Sequence, residues 1–235
     1  MKAIIGGTGI DEVLRNSEVK RIQTKFGSVD YQEQDGIVFI LRHGVSHDVP
    51  PHRVNYRANI EALQLLGVDE CISIYCVGSI SPEFEVGSCT LMDDFIDFTT
   101  RANKTFSHRG NVIHTSMSDL FDKELRSRVL ECSKEQNIDM KTGGVYVATE
   151  GPRFETKAEI KMYSILGGDF VGMTAVPEVP LLKEKKIKLA SIAYSINWCA
   201  GINCDEKINF MDDDEIAALS KKLLSISMNS LKKRH

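Results

Sequence analysis

Residues 56–79 read YRANIEALQLLGVDECISIYCVGS, and the change of pattern inside this stretch decides the fold class. Tyr56, Ile60, Leu63 and Leu66 recur at helical spacing, so they share one face of a helix over 56–66. Gly67 is suited to stop it. Cys71 to Val77 then forms a short, continuously apolar run closed by Gly78-Ser79, the pattern of a strand buried on both faces. The same alternation extends outward in both directions. Strands are expected over 2–5, 37–41, 145–148 and 187–196. Helices are expected over 119–136, through Leu120, Leu125, Val129 and Leu130, over 157–166, and over 213–233, through Ile216, Leu219, Leu223 and Leu224. Apolar strands alternating with helices imply a mostly parallel sheet covered on both sides. No linker, repeat or low-complexity segment divides residues 1–235, so one domain is expected. Residues 97–118 lack periodicity and read as a long loop, a feature that often carries function.

Composition narrows the class further. The 235 residues are 42% hydrophobic and 26% charged, with 29 basic and 33 acidic side chains for a formal charge of −4. That is globular composition, with no electrostatic reason to expect a nucleic-acid partner. No apolar run approaches the ~20 residues of a membrane span. The N-terminus shows no charged-then-apolar signal region, so a cytoplasmic location is expected. The six cysteines, at 71, 76, 89, 132, 199 and 204, include no CxxC pair and read as reduced core residues.

The residues with chemical potential cluster at the expected strand ends, where ligands gather in open α/β sheets. Gly6-Gly7-Thr8-Gly9 reads either as an anion-binding loop, with backbone N–H groups and the Thr8 hydroxyl as donors, or as a plain tight turn. Arg42-His43 reads either as a bidentate cation with an imidazole donor for phosphate oxygens, or as a surface Arg beside a satisfied His. His43, His47 and His52 fall in a Pro-containing segment where no helix aligns the rings, so no metal site is expected. In Glu150-Gly151-Pro152-Arg153-Phe154-Glu155-Thr156, Phe154 could stack on a ligand and Glu155 accept a hydrogen bond, or Glu155 could simply favour the positive end of the next helix. Thr174, in GMTAVPE (172–178), is a polar contact among apolar neighbours. Asn197 could donate to and accept from a heterocycle edge, or form a turn.

Taken in order, IIGGTGI (4–10), LRHGVSHDVPPHRVNYRANI (41–60), VGSI (77–80), TEGPRFET (149–156), GMTAVPEV (172–179) and ASIAYSIN (190–197) resemble the purine nucleoside phosphorylase and methylthioadenosine phosphorylase family. The resemblance implies a single α/β domain whose central mixed sheet is partly barrel-like and flanked by helices. It also implies a homotrimer or dimer of trimers with active sites at subunit interfaces. The implied reaction is reversible phosphorolysis, with inorganic phosphate as co-substrate and no metal or organic cofactor. Carried over residue by residue, phosphate would meet Thr8, Arg42, His43, Cys76 through its backbone, and Thr174. Met173 would lie against the ribose, Phe154 against the base, and His114 would reach a neighbouring subunit's 5′ pocket.

The methylthioadenosine branch ordinarily carries Asp at the position of Asn197 and a small hydroxyl residue at that of Glu155. Asn197 with Glu155 instead resembles the pair of 6-oxopurine phosphorylases. Glu155 would accept the N1–H of hypoxanthine or guanine, and Asn197 would donate to N7 or O6. Adenine has no N1–H, which would leave a buried acceptor unpaired at a cost of about 1–3 kcal/mol. Inosine- and guanosine-type substrates are therefore expected, with methylthioadenosine phosphorolysis and a non-catalytic purine sensor as alternatives. Retention of the phosphate residues argues against the sensor. After Asn197 the only histidine is His235, an implausible 5′-hydroxyl ligand, whereas Ile208, Phe210 and Met211 suggest an apolar 5′ pocket. Methylthioinosine therefore stands beside inosine as a candidate.

Overall fold

The computed structural model describes residues 1–10, 18–203 and 208–233. Cys204 and His235 lie outside the described residues. Among the described residues, eleven strands form one mixed sheet. Its centre is β5 (Glu70–Ser79), the apolar run at 71–77 extended by one residue before it and two after. Parallel partners flank β5 on both sides: β1 (Lys2–Gly6), itself parallel to β4 (Ile37–Leu41), and β11 (Lys188–Trp198). Cys71, Tyr75 and Val77 of β5 face one hydrophobic cluster, and Ile72, Ile74 and Cys76 face the other, the period-2 alternation of a two-sided strand. The first cluster is covered by α1 (Tyr56–Leu65) and α4 (Ala175–Glu184), the second by α2 (Lys123–Glu135) and α5 (Asp213–Lys232).

The other half of the sheet closes on itself. The run from β6 (Cys89–Leu91) to β7 (Asp94–Asp97) bends at Met92-Asp93, and the run from β8 (Met140–Thr142) to β9 (Val145–Ala148) bends beside it at Gly143-Gly144. β6 pairs with β11, while β7 pairs with β9, β9 with β10 (Phe170–Gly172), and β10 with β5. Because β5 also pairs with β11, the path returns to its start, which gives the barrel-like portion. Gly144 has φ +97 there, and a Cβ would lie 2.5 Å from Phe170, so the bend needs glycine.

Local signals explain the boundaries. α1 begins where the Asn55 side chain accepts the Ala58 amide, and Gly67 at φ +71 ends it. The helix expected from 119 begins only at Lys123, because the Asp122 carboxylate caps the Leu125 amide. Leu120 and Phe121 are buried outside the helix. α3 (Lys157–Ile165) opens with a capping box between Thr156 and Glu159. Gly78 and Asn197, expected to follow strands, lie within the last residues of β5 and β11 and pair with each other. The hairpin β2 (Val19–Thr24) and β3 (Gly27–Gln34), the short strands β6, β7, β8 and β10, and α4 are additions to the sequence reading. Residues 98–122 are irregular apart from a bridge between His108 and Asn111. Cys71, Cys89, Cys132 and Cys199 are buried and Cys76 half-buried, and none of the five is in a disulfide.

Candidate active site

The carboxyl ends of β1, β4, β5, β9, β10 and β11 converge on one cavity of about 510 Å³. Thr8, Arg42, His43, Cys76, Phe154, Glu155, Met173, Thr174 and Asn197 all line it. Segments as distant in sequence as those of Thr8 and Asn197 thus meet because their strands share the sheet.

One end of the cavity is suited to an anion. The Arg42 amide donates to the Gly6 carbonyl at 2.8 Å, which sets the end of β4 against the glycine loop after β1. A Cβ on Gly7 would lie 3.0 Å from Arg42 Nη1 and 3.3 Å from His43 Nε2. The loop backbone, the guanidinium and the imidazole therefore share one small space. Behind the loop, the Tyr194 hydroxyl donates to the Thr8 carbonyl at 2.7 Å, fixing Thr8 from β11. Thr174 precedes α4, makes no side-chain capping bond, and donates its amide to the Tyr146 hydroxyl at 3.1 Å.

Arg42 departs from the expected bidentate grip on phosphate. Its side chain is 1% exposed, and its fork is taken by Glu178: Nε donates to Oε2 at 2.7 Å and Nη2 to Oε1 at 2.9 Å. The Tyr75 hydroxyl also donates to Glu178 Oε1, at 2.7 Å. Nη1 donates to the Ile74 carbonyl at 3.3 Å and faces Gly7. Burial would pull the guanidinium pKa down, but the Glu178 carboxylate outweighs this and raises it, so Arg42 stays charged. Two N–H vectors, one on each terminal nitrogen, remain outside these bonds for a ligand.

His43 also differs from the expected donor. Its Nδ1 lies 2.8 Å from the Val49 carbonyl, which can only accept, so Nδ1 carries the proton. Burial, then the Arg42 charge, lower its pKa to about 4. The ring is therefore neutral near pH 7, and Nε2 presents a lone pair rather than an N–H. The His47 ring packs against it, centroids 5.0 Å apart. This has a measurable consequence for stability. The unfolded chain, with His43 at its ordinary 6.5, takes up a proton before the folded chain does. The contribution of His43 is thus complete above pH 6.5 and is lost as pH falls through 6.5 toward 4, about 1 kcal/mol by pH 5.5. Thermal melting across this range should show that loss in the wild type and a shallower decline in His43→Gln.

The other end is suited to a planar polar group. Asn197 pairs with Gly78 across a bulge in the β5–β11 ladder, and its Nδ2 donates to the Trp198 carbonyl at 3.0 Å. Gly78 is needed there: a Cβ would lie 2.7 Å from Cys199 Sγ and 3.1 Å from Asn197 Nδ2. Cys199, buried beside these groups, has its thiol pKa raised by burial and then by the charge of Glu155, which places that carboxylate in the same corner. Thr149 Oγ1 donates to Glu155 Oε1 at 2.7 Å and so aims the carboxyl group. Cys76 and Gly78 are two residues apart on β5, so the two ends are separated along this strand by about 7 Å. Phe154 and Phe210, ring centroids 5.5 Å apart and half exposed, stand at the mouth with Ile208 nearby.

A family model described as "Phosphorylase superfamily" matches residues 2–229. The chain belongs to this superfamily. It is 41% identical over 95% of its length to a probable 6-oxopurine nucleoside phosphorylase of Korarchaeum cryptofilum, covering 88% of that protein. It is 40% identical to a probable S-methyl-5′-thioinosine phosphorylase of Methanocaldococcus jannaschii, over 96% of this chain and 90% of that one. It is also 44% identical to an S-methyl-5′-thioadenosine phosphorylase of Pyrococcus horikoshii, over 90% and 86%. A crystal structure of a methylthioadenosine phosphorylase from an antarctic soil metagenomic library superposes with a TM-score of 0.85 at 29% identity, covering 97% of this chain and 84% of that one. The chain thus has the fold of the nucleoside phosphorylases and is an enzyme of that group, a pentosyltransferase. Overall identity does not separate the three named activities; the residues that line the cavity distinguish the base.

His114, expected to reach a neighbouring subunit's pocket rather than its own, is exposed on a separate surface groove with Asp119 and Lys183. One residue falls elsewhere than expected. Met211 packs into the cluster under α5, leaving Ile208 and Phe210 as the apolar lining. Glu178, Tyr75, His47 and Cys199 are additions to the site. Glu178 lay within the GMTAVPEV stretch, but its pairing with Arg42 spans 136 residues. The phosphorylase's glycine loop supplies a direct test of the anion end. Gly7→Ala places a methyl group against Arg42 Nη1 and His43, so the KM for phosphate should rise about tenfold, the loss of roughly one hydrogen bond, with purine affinity unchanged.

Proposed function

We propose that the chain catalyses reversible phosphorolysis of 6-oxopurine nucleosides, inosine, guanosine or 5′-methylthioinosine, to the free purine and the ribose 1-phosphate. The observation that carries this reading is the two-ended cavity, with Glu155 and Asn197 at one end and Thr8, Arg42, His43 and Thr174 at the other. Glu155 accepts N1–H of the lactam-form base, and Asn197 donates to N7 or O6. Phosphate sits against Thr8, Arg42, Thr174 and the backbone at Cys76, with a protonated phosphate oxygen toward His43 Nε2. Met173 lies along the ribose and Phe154 flanks the base.

As the N9–C1′ bond lengthens, its electron pair moves onto the purine and positive charge develops on the ribose ring. Asn197 stabilises the first and the phosphate dianion the second. A phosphate oxygen then bonds to C1′ as the N9–C1′ bond breaks, and the proton that the hydrogen phosphate dianion brought passes through solvent to the purine anion, which leaves as the neutral base beside the sugar phosphate dianion. Both charges are met by groups already in place, so positioning and electrostatics supply the catalysis, with inorganic phosphate as co-substrate and no further cofactor. The apolar lining at Ile208 and Phe210 favours a 5′-methylthio group beside the 5′-hydroxyl. The exposed position of His114, away from its own chain's cavity, supports its reaching a neighbouring subunit's 5′ pocket in a homotrimer or dimer of trimers. The setting is cytoplasmic purine salvage, with a purine nucleoside and phosphate as small-molecule partners. Among the described residues no helix is long and apolar enough to cross a membrane.

The test is hypoxanthine release from inosine and from 5′-methylthioinosine, with and without phosphate. Release that depends on phosphate and yields the sugar phosphate is expected. Purine binding without turnover would instead favour a sensor.

A further inference from the structure

Arg101 lies in the irregular segment after β7, and its side chain is only 8% exposed. It does not line the candidate active-site cavity. Every N–H of its guanidinium is spent inside the protein. Nη1 donates to the Val176 carbonyl at 2.7 Å and the Tyr56 hydroxyl at 3.1 Å. Nη2 donates to the carbonyls of Met173 at 2.7 Å and Glu150 at 3.0 Å, with Thr149 at 3.4 Å. Nε donates to the Glu150 carboxylate at 3.2 Å. Arg101 therefore has nothing left for a ligand.

Its partners fall in two segments. Thr149 and Glu150 lead into Phe154 and Glu155, and Thr149 itself aims the Glu155 carboxylate. Met173 and Val176 bracket Thr174 and lead to Glu178, which holds Arg42. One planar cation thus joins the segment that presents the base acceptor to the segment that presents the phosphate donors. We infer that Arg101 is a positioning residue that sets the separation between the purine end and the phosphate end of the site. The inference rests on the phosphorolytic reading above. Each end is built mostly from its own local bonds, so each ligand alone still finds its partners without Arg101. What is lost is the alignment of phosphate oxygen with C1′, and a displacement of about 1 Å can cost a hundredfold in rate.

Lysine keeps the charge but gathers its donors on one nitrogen, so it cannot reach the Glu150 carboxylate and the Met173 and Val176 carbonyls together. Arg101→Lys should lower kcat about 30- to 100-fold. Dissociation constants for phosphate alone and for hypoxanthine alone, from calorimetry, should stay within about threefold. Guanidinium ion added to Arg101→Ala should restore part of kcat. Glu150, 38% exposed, offers a variant tolerated by the fold: Glu150→Gln leaves one oxygen for two donors, Arg101 Nε at 3.2 Å and the Thr100 amide at 2.8 Å. It loosens Arg101 at Nε while the bonds of Nη1 and Nη2 remain, and kcat should fall about fivefold with the same unchanged single-ligand affinities. Unchanged kcat in folded Arg101→Lys or in Glu150→Gln would overturn the inference, as would single-ligand affinities that fall in step with kcat. Wild-type turnover, measured first, separates failure of the phosphorolytic reading from failure of the clamp.

Discussion

Arg42→Met should lose phosphate-dependent turnover by about a thousandfold and also lose stability. The two effects have separate origins. The guanidinium supplies the fixed cation of the anion end, and removing one preorganised donor to developing or transferred charge costs about 10²–10³ in rate. The stability loss comes from the other side of the ion pair. Glu178 is 1% exposed and accepts from Arg42 twice. Without Arg42 it is a buried carboxylate whose remaining hydrogen-bond donor among the described residues is Tyr75, and breaking such a pair on one side costs about 3–5 kcal/mol. The double variant Arg42→Met with Glu178→Gln removes the orphaned charge. It should recover most of the melting temperature and none of the activity. Steady-state kinetics with varied phosphate, alongside thermal unfolding, reads both effects. Activity that returned with stability would make Arg42 purely structural.

The second large effect concerns the base. Thr149 Oγ1 donates to Glu155 Oε1, leaving the other carboxylate oxygen for the ligand. In Glu155→Gln that bond holds the amide oxygen toward Thr149 and turns the NH2 group toward the purine. A donor then faces the N1–H of hypoxanthine, where a charged acceptor had been, while the N1 lone pair of adenine gains a partner. Hydrogen bonds to charged groups contribute about 1.5–3 kcal/mol, so kcat/KM for inosine should fall by roughly 10- to 100-fold. The 6-aminopurine substrate should lose much less or gain. Asn197→Asp should shift preference in the same direction, since a protonated Asp can serve N7 while accepting from a 6-amino group. Equal losses on both substrates in both variants would mean that these side chains support the wall of the cavity rather than read the base.

The scaffold of this site was legible because its strands are continuous apolar runs. β1, β4, β5, β9 and β11 each bury nearly every residue, and a strand hidden on both faces leaves an unbroken hydrophobic signal. The hairpin of β2 and β3 left none, because polar residues interrupt VKRIQT and GSVDYQEQ and neither strand carries a continuous apolar run. α4 was masked by Pro177 and Pro180, and its φ/ψ at Val176 is non-helical. At the site, residue identity was readable wherever a glycine or polar group interrupted an apolar run. Pairing was not. Arg42 looked like a phosphate fork because an Arg at a strand end carries that geometry, and only the fold shows Glu178 filling it. The role of His43 likewise turned on the Val49 carbonyl, a backbone atom that no side-chain pattern reports. Arg101 lies in the aperiodic stretch after β7 and gathers carbonyls from two distant loops, an arrangement with no local signature.

On the proposed reading, Glu155 and Asn197 make this cavity a reader of lactam-form purines. The most direct measurement is the ratio of kcat/KM for 5′-methylthioinosine to that for 5′-methylthioadenosine at saturating phosphate, since these two substrates share the sugar and differ in the base. A site built to pair with an N–H rejects the analogue lacking it by large factors, so the ratio should exceed about 10³. A ratio near or below one would contradict the account and make this chain an adenine-type phosphorylase.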